Sequence, residues 1–540
     1  MKRSGFGFVV SFLALTGYAW APEAQVQTVR LGPYHTPKRS ELTVSKDGLN
    51  VAYVIRTPGG SAFRVRTDGL IPIDGKESVI VSGQAGPKYD EIRDNPVFSP
   101  DGKRVAYVAR EGTKSLVVVN GKAGPEYDGV TRPVFSPDGK RVAYGVKNGT
   151  KSFVVVDGKA GPEYDVLRPD VMFSPDSKRV AYAARKGKKD FVVVDGAVGP
   201  EYDGTITNRG PVFSPDSKRV AYAAKKGEKW FVIVDGKASP EYDGIIFMPV
   251  FSRDGKRVAY SVKEGMKRLV VVDGKASPEY DGVFQDDPSA SGFTPAFSPD
   301  GKRVAYAAQD GEKSFVVVDG KAGPKYDGSF SSPLFFFSPD SKRVAYGVKE
   351  GEKKWFLVVD GKASPEYDEI LVSPFSPDSK RVAYAAKKGE KWFVIVDGKA
   401  GPEYDGVITD RENRRWAVFS PDGKRVAYAA EKGEKYLVVV DGQVGPEYEG
   451  ISIPIFSPDS KRVAYAAREG KKDFVVVDGQ VGPEYEAVIK NGPTFHSDGR
   501  LEYLAFRGSS LYRVNHIPAL PTLHKRPVAP RGSPKRSGQP

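Results

Sequence analysis

The stretch PVFSPDGKRVAY, residues 133–144, decides the fold, because close copies of it run along most of this 540-residue chain. Its phenylalanine recurs in copies 2 to 12 at Phe98, Phe135, Phe173, Phe213, Phe251, Phe297, Phe337, Phe375, Phe419, Phe456 and Phe495, and a weaker first copy begins at Val44. Most copies lie 37 to 40 residues apart, and the longer intervals of 54, 46 and 44 residues precede Phe98, Phe297 and Phe419. A period of about 40 residues is typical of a four-stranded unit that stacks on copies of itself.

Each copy predicts four short strands joined by turns. In copy 3 the strands are residues 133–135, 141–146, 152–156 and 161–165. The Ser-Pro-Asp-Gly sequence after the first strand has the residues that a type I turn prefers, and the Asp-Gly after the third is a hairpin signal. The third strand is almost wholly apolar, as expected for burial on both faces, and proline confines the fourth to a sheet edge.

The second strand also predicts how neighbouring copies pack. Val142 and Tyr144 share one face of this strand, and Ala143 and Gly145 share the other. We therefore expect the large face of one copy to pack on the small face of the next. Sheets of this size, repeated in series, predict an all-β fold, a β-propeller of twelve four-stranded blades.

The ends of the repeat region predict how the propeller closes. The last copy ends near residues 511–514 without a Gly-Pro-Glu-Tyr strand, and a similar piece, Gly32-Pro33-Tyr34-His35, lies near the N-terminus. We therefore expect an N-terminal strand to complete the twelfth blade. Deleting residues 22–38 tests this hypothesis.

Twelve blades fit either two six-bladed rings in tandem or one large ring. The 46-residue interval contains QDDPSASG, residues 285–292, which favours a joint and two rings, residues 22–284 and 285–517. The single ring stays open as the alternative, because the sequence has no six-copy period. Residues 213–238 and 375–400 are identical, yet they lie four copies apart.

The two termini differ in composition from the repeats. Residues 1–21 have a basic start, an apolar run from about Phe6 to Leu15 and the ending Ala19-Trp20-Ala21, which predicts a cleaved signal peptide, with an uncleaved anchor as the alternative. Export of a chain without cysteine favours the bacterial envelope, periplasmic or secreted. Residues 518–540 are basic and rich in proline, which predicts a disordered tail.

The composition limits which catalytic and metal-binding groups the chain can have. The chain has no cysteine, and its four histidines, His35, His496, His516 and His524, all lie near the termini. No G-x-S-x-G motif occurs. We therefore predict that the protein is not an enzyme and uses no cofactor or metal. A catalytic pair of carboxylates, as glycosidases use, stays open as an alternative, because acidic residues are abundant. The net charge of +14 falls to +7 without the signal peptide and tail, which does not favour a nucleic-acid partner.

Three groups of repeated residues each allow a structural and a functional interpretation. For aspartates such as Asp138 we favour turn formation over a metal ring. For the Lys-Arg pairs, as at Lys103-Arg104, we favour ion pairs between blades over a polyanion groove. For Trp230, Trp355 and Trp392 we favour packing over sugar binding.

The connection from the fourth strand to the next blade varies between copies, whereas the rest of the copy is nearly constant. We expect these connections to gather on one face of the ring around the channel mouth and to bind a partner, with drift of surface loops as the alternative. The predicted partner-binding residues are Arg132, Arg168, Asn208, Arg209, Met248, Asp410, Arg411, Arg414, Arg415 and Trp416. The last three are the strongest candidates, because Arg and Trp are favoured anchors.

The FSPDGKRVAY core followed by a V-V-V-D-G hairpin resembles the TolB-like and WD-repeat-like propellers of bacterial envelopes, over about residues 42–517. The resemblance implies a propeller that recognises envelope proteins or peptides through varied loops. The copies lack the WD dipeptide and differ from TolB in the fourth strand, so a role in the Tol complex is not implied. We predict a non-catalytic envelope binding scaffold without a membrane span after signal cleavage. The alternatives are binding of an anionic glycan or surface polymer, and a lyase or hydrolase.

Overall fold

The computed structural model describes residues 25–33, 43–45, 50–56, 63–66, 69–72, 76–168, 171–205, 210–283, 295–330, 335–351, 354–409, 417–489, 492–508 and 510–517. Within these ranges the regular elements are all β-strands, and twelve antiparallel sheets follow the twelve copies in order. The prediction of an all-β propeller with twelve four-stranded blades is confirmed. Blades are numbered by copy, and their strands are first to fourth in chain order. The predicted signal peptide and tail lie outside the described residues.

The second and third strands form the constant centre of every blade. The second strands are Val51–Arg56, Val105–Glu111, Val142–Asn148, Val180–Lys186, Val220–Lys226, Val258–Glu264, Val304–Asp310, Val344–Glu350, Val382–Lys388, Val426–Lys432, Val463–Glu469 and Leu501–Arg507. The third strands are Glu77–Val81, Lys114–Val119, Lys151–Val156, Lys189–Val194, Lys229–Val234, Lys267–Val272, Lys313–Val318, Lys354–Val359, Lys391–Val396, Lys435–Val440, Lys472–Val477 and Ser510–Ile517. Phe153, Val154 and Val155 are all buried, which confirms burial of the third strand on both faces.

The fourth strand is the outer edge of each blade. The fourth strands are Gln84–Tyr89, Lys122–Ala123, Lys159–Ala160, Ala197–Val198, Lys237–Ala238, Lys275–Ala276, Lys321–Ala322, Lys362–Ala363, Lys399–Tyr404, Gln443–Tyr448, Gln480–Val481 and, in blade 12, Gln25–Pro33. In blade 3 the pairing stops before Pro162 and resumes at a bridge between Ser152 and Tyr164. Proline has no N–H to donate, so this strand suits an edge, as predicted.

The first strand is in most blades divided into two short segments that pair with the same second strand. The first strands are Thr43–Val44; Glu91–Ile92 and Val97–Phe98; Gly129–Val130 and Val134–Phe135; Val166–Leu167 and Met172–Phe173; Gly204–Thr205 and Val212–Phe213; Gly244–Phe251; Ala296–Phe297; Gly328–Phe330 and Phe336–Phe337; Glu369–Phe375; Gly406–Val407 and Ala417–Phe419; Gly450–Ile451 and Ile455–Phe456; Ala487–Val488 and Thr494–Phe495. First strands of neighbouring blades contact one another, for example in blades 10, 11 and 12. These contacts place the first strands at the centre of the ring, around the channel.

Blade 1 contains an additional hairpin. The strands Phe63–Arg66 and Gly69–Pro72 pair with each other between its second and third strands. This hairpin accounts for the long interval of 54 residues before Phe98.

Neighbouring blades pack large side chains on small ones. Tyr182 of blade 4 lies in one buried cluster with Ala143 and Val154 of blade 3. Its ring also meets that of Tyr164 edge to face, with the centroids 6.1 Å apart. This arrangement confirms the packing predicted from the second strand. Burial raises the pKa of the Tyr182 hydroxyl, so the group stays neutral inside the interface.

In blades 2 to 11 an arginine of the repeat links the blade to the next one. Arg141 donates from Nε to Asp157 of its own blade at 2.9 Å, and from Nη1 to the carbonyls of Ser177 and Lys178 of blade 4 at 3.1 and 2.7 Å. Its guanidinium also lies 5.2 Å from the ring centre of Phe173. The arginines with this stacking are Arg104, Arg141, Arg179, Arg219, Arg257, Arg303, Arg343, Arg381, Arg425 and Arg462.

The interface between blades 6 and 7 is of the same kind as the others. Arg257 of blade 6 lies 5.2 Å from the ring centre of Phe297 and donates to the Lys302 carbonyl of blade 7. Val270 and Tyr306 share one buried cluster across this interface. The favoured division into two six-bladed rings, residues 22–284 and 285–517, is therefore wrong. The extra residues 285–292 lie outside the described residues and precede the segment Ala296–Phe297, whereas the packing residues on both sides are ordinary copies of the repeat.

The ring closes between blades 12 and 1. Leu504 and Leu511 of blade 12 lie in one buried cluster with Val51 and Tyr53 of blade 1. With the interface between blades 6 and 7 also formed, all twelve blades belong to a single ring, so the alternative prediction is confirmed.

An N-terminal strand completes blade 12, as predicted. Gln25–Pro33 pairs antiparallel with Ser510–Ile517 in a register that sets Gln25 opposite Ile517 and Pro33 opposite Ser510. The strand begins earlier than the predicted piece Gly32–His35, of which Tyr34 and His35 lie outside the described residues. The first and last parts of the chain thus share one sheet.

His516 gives the closing blade a dependence on pH. The residue is 6% exposed, and its Nε2 lies 3.3 Å from the Tyr503 hydroxyl. Burial and the charge of Arg462 lower the pKa of His516 below its usual value. Below about pH 6.5 the unfolded chain therefore binds a proton at His516 that the folded chain does not readily bind. The free energy of unfolding decreases as the pH is lowered through this range.

We predict that the melting temperature falls by about 1–2 °C from pH 7 to pH 5.5, because one histidine acts on a long chain, and that His516→Gln flattens this fall. Thermal unfolding followed by circular dichroism measures it, with His524→Gln as the control. An equal fall in His516→Gln would assign the pH dependence to another group.

Candidate functional site

The variable segments of the repeat interrupt the first strand. In blade 3, Val130 pairs with Val146 and Val134 pairs with Ala143, so the three residues 131–133 face only two residues of the second strand and interrupt the regular pairing. We call these segments inserts. They contain three residues in blade 3, four in blade 4 (168–171) and nine in blade 10 (408–416).

The inserts lie elsewhere than expected. The first strand is the innermost, so the inserts begin and end on a strand of the channel wall and are not connections between blades. The connection itself is short, because only Asp165 separates Tyr164, the last paired residue of blade 3, from Val166 of blade 4. The expectation failed because two-residue segments such as Val166–Leu167 are too short to show a strand period.

The single-residue connection forms a second link between blades. Lys151 of blade 3 donates to Asp165 Oδ1 at 2.7 Å, and the Gly187 N–H of blade 4 donates to Oδ2 at 2.7 Å. These bonds lower the pKa of Asp165 and keep it ionised. Ion pairs between blades were predicted for the Lys-Arg pairs, to which Lys151 does not belong. At Lys103-Arg104 the structure has a different link, because Arg104 donates to the Gly139 and Lys140 carbonyls of blade 3 at 3.1 and 2.5 Å.

The structure describes three of the predicted partner-binding residues. Arg132 is exposed in the insert of blade 3. Met248 is half-buried within the irregular strand Gly244–Phe251, so it is a strand residue and not a loop residue. Arg168 begins the insert of blade 4. Seven further residues lie outside the described ranges, and their role stays a prediction: Asn208, Arg209, Asp410, Arg411, Arg414, Arg415 and Trp416.

Arg168 takes part in an ion-pair network inside blade 4. Asp190 is 1% exposed and accepts hydrogen bonds from Arg185 Nε at 2.5 Å and Arg168 Nη2 at 3.3 Å. Burial acts to raise the pKa of Asp190, but the two guanidinium groups outweigh it and hold the pKa below its usual value. Asp190 also accepts the Thr205 N–H of blade 5 at 3.3 Å, so the network fixes the start of the next first strand.

A similar carboxylate lies in a cleft between blades 11 and 12. Asp473 is 7% exposed and binds Arg468 through two hydrogen bonds of 2.6 and 3.0 Å. The cleft has a volume of about 260 Å³, and Ser452 and Gly492, which belong to the inserts of these blades, line it together with Ile489. Residues of two inserts and the Arg468–Asp473 ion pair therefore line the same cleft.

Sequence reasoning missed both of these carboxylates. The signal is a substitution: Asp190 and Asp473 stand where other copies have serine, tryptophan, arginine or tyrosine, next to an apolar run. A charge at the start of a buried strand indicates a fixed partner, because an unpaired buried charge is costly.

The repeated aspartates and tryptophans have structural roles. Asp138 accepts hydrogen bonds from Ser136 Oγ at 2.6 Å and from the Lys140 N–H at 3.0 Å, which confirms turn formation. Trp355 and Trp392 pack against a buried cluster, as predicted. Among the described residues, no three His, Cys, Asp or Glu side chains are grouped to hold a metal ion, and no helix has the length and hydrophobicity to span a membrane.

The comparisons with known proteins show no family for this chain. No protein-family model matches it, and no curated protein matches it. A crystal structure of the eukaryotic initiation factor has 14% identity and a TM-score of 0.33, over 64% of this chain and 96% of that one.

Two further solved structures are β-propellers of similarly low identity. The β-propeller domain of the Trilobed protease from Pyrococcus furiosus has 19% identity and a TM-score of 0.25, over 51% of this chain and 94% of that one. TolB from Acinetobacter baumannii has 17% identity and a TM-score of 0.21, over 50% of this chain and 78% of that one. These values concern the propeller fold alone. The chain's own sheets show a twelve-bladed β-propeller, and its function must be argued from its own residues.

Proposed function

We propose that this propeller is a non-catalytic binding scaffold of the bacterial envelope, which captures a protein or peptide through its inserts. The observation that carries the proposal is the division of each copy into two parts. The repeated positions make the same contacts between blades, whereas the inserts differ in length and sequence and interrupt the channel wall. Variation on a rigid frame is typical of a recognition surface.

The position of the inserts supports a partner that enters the channel. Inserts of successive blades follow one another around the wall, so an extended segment or a protruding loop would meet several of them at once. The exposed Arg132 and the cleft at Arg468 and Asp473 offer charged contacts to such a partner. Arg414, Arg415 and Trp416 of the longest such insert among blades 8 to 12 supply the anchor types favoured in protein interfaces.

The envelope location is part of the proposal. It rests on the basic and apolar N-terminal pattern of residues 1–21 and on the absence of cysteine from the sequence. The absence of an evident catalytic motif from the sequence supports binding as the activity.

We predict that the combined change of Arg414, Arg415 and Trp416 to alanine abolishes partner capture. We expect the melting temperature to stay within about 2 °C, since these positions are not among the repeated ones that pack the blades together. Affinity capture from envelope extract, followed by titration of the purified captured protein, measures the effect.

The matched control changes three exposed lysines of the turns between first and second strands, Lys140, Lys178 and Lys218, to alanine. Loss of binding in the control as well, or unchanged binding in the triple variant, would remove this insert as the site.

A further inference from the structure

The turns between second and third strands lie on the same face of the ring as the single-residue connections. Each turn segment runs from the last two residues of the second strand to the first two of the third. In most blades the first lysine of the third strand binds the acidic residue that follows the fourth strand: Lys114–Asp128, Lys151–Asp165, Lys189–Asp203, Lys229–Asp243, Lys267–Asp281, Lys313–Asp327 and Lys391–Asp405. These lysines are engaged in holding blades together, so the remaining charges decide what the face can bind.

The remaining charges are unevenly distributed around the ring. The turn segments of blades 3 to 6, residues 147–152, 185–190, 225–230 and 263–268, contain twelve cations and three acids. Those of blades 8 to 11, residues 349–355, 387–392, 431–436 and 468–473, contain eleven cations and seven acids. In both groups each blade is also followed by one acidic connecting residue, such as Asp165. Blades 3 to 6 therefore keep a net charge that is five units more positive than that of blades 8 to 11.

Five of the lysines in blades 3 to 6 are exposed and have no ion-pair partner among the described residues. They are Lys147, Lys186, Lys188, Lys226 and Lys263. Two of the three acids in these turn segments are paired with other residues. Asp190 binds two arginines, and Glu228 lies 3.4 Å from Lys225. We call these five lysines with their four turns the basic arc.

We propose that the basic arc binds a linear acidic polysaccharide. Packed β-sheets lie about 10 Å apart, so the arc presents cations at intervals along a curved line of consecutive blades. A chain with a carboxylate or sulfate on successive sugar units can contact several turns at once. Each exposed contact is weak alone, and the contacts act together because the polymer is one molecule.

The composition of the arc favours a polysaccharide over a protein or a nucleic acid. Lysine is depleted in protein interfaces, which favour Tyr, Trp and Arg. Single-stranded nucleic acids are bound by stacking on open aromatic rings. The tryptophan of the arc, Trp230, is half-buried and lies against Lys225, whose amino group is 5.9 Å from the ring centre.

The basic arc is distinct from the inserts. It consists of turn residues between second and third strands, whereas the inserts interrupt the first strand. A polysaccharide and a protein partner would thus use different residues, and either activity can fail without the other.

The test compares two variants of the full mature chain with five Lys→Gln changes each. One changes the basic arc: Lys147, Lys186, Lys188, Lys226 and Lys263. The matched control changes lysines in the corresponding segments of blades 9 to 11: Lys387, Lys388, Lys432, Lys471 and Lys472. Binding to alginate, a linear polyuronate, is measured at 50 and 300 mM salt, with neutral dextran and a DNA duplex as comparison polymers.

We expect at least tenfold weaker alginate binding for the arc variant, less than a threefold change for the control variant, and weakening of wild-type binding by salt. Equal losses in both variants, or no loss in either, would overturn the proposal. Equal binding to neutral dextran would exclude an electrostatic site, and tighter arc-dependent binding to DNA than to alginate would assign the arc to nucleic acid. Retained capture of a protein partner by the arc variant separates this site from the inserts.

Discussion

Deletion of residues 22–33 is expected to open the ring and to cause the largest loss of stability of any short truncation. The deletion removes the strand Gln25–Pro33, which pairs with Ser510–Ile517 along nearly its whole length. Each lost hydrogen bond costs about 0.5–1.5 kcal/mol, so the total is on the order of 5 kcal/mol. It also leaves the third strand of blade 12 with an unpaired edge, which favours association with other chains.

Thermal unfolding and analytical ultracentrifugation measure the two effects. Deletion of the tail, residues 518–540, is the matched control, and we expect it to leave the melting temperature unchanged. A synthetic peptide of residues 22–36 added to the truncated protein should raise its melting temperature as peptide concentration increases. An unchanged melting temperature without residues 22–33 would show that the strand does not hold the ring closed.

The number of blades and the strands within them follow from the sequence, because the repeat carries its own turns and alternation. The size of the ring does not. It depends on the angle between adjacent blades, which the packing of tyrosine on alanine sets at each interface, as for Tyr182 on Ala143. A long interval such as residues 285–292 therefore suggested a joint, although the interface residues on either side of it are complete copies.

The candidate site was predicted in part. Variation between copies identified the inserts, because it needs only a comparison of the copies. Their position inside the first strand was missed, since segments such as Gly129–Val130 are too short for a pattern. The carboxylates Asp190 and Asp473 were also missed, because their role depends on arginines brought near by strand pairing, as between Arg185 and Asp190.

Replacement of Arg257 by methionine is expected to destabilise the ring as much as replacement of Arg219. Arg257 binds Asp273 at 2.8 Å and the Lys302 carbonyl of blade 7 at 2.5 Å. Arg219 makes the equivalent bonds between blades 5 and 6. Methionine keeps some apolar contact with the phenylalanine of the next blade and loses the hydrogen bonds. We expect a cost of about 1–2 kcal/mol at each site, because the guanidinium is partly exposed.

Equality of the two effects is the informative result, because only a single ring makes the interface between blades 6 and 7 equivalent to that between blades 5 and 6. Chemical unfolding gives the free energies, and hydrogen exchange at Val270 and Tyr306 localises the opening. Lys256→Met, at a side chain that is 81% exposed, is the control and should be neutral. If Arg257→Met is also neutral while Arg219→Met destabilises, blades 6 and 7 do not pack in solution, and the twelve blades must close in smaller rings.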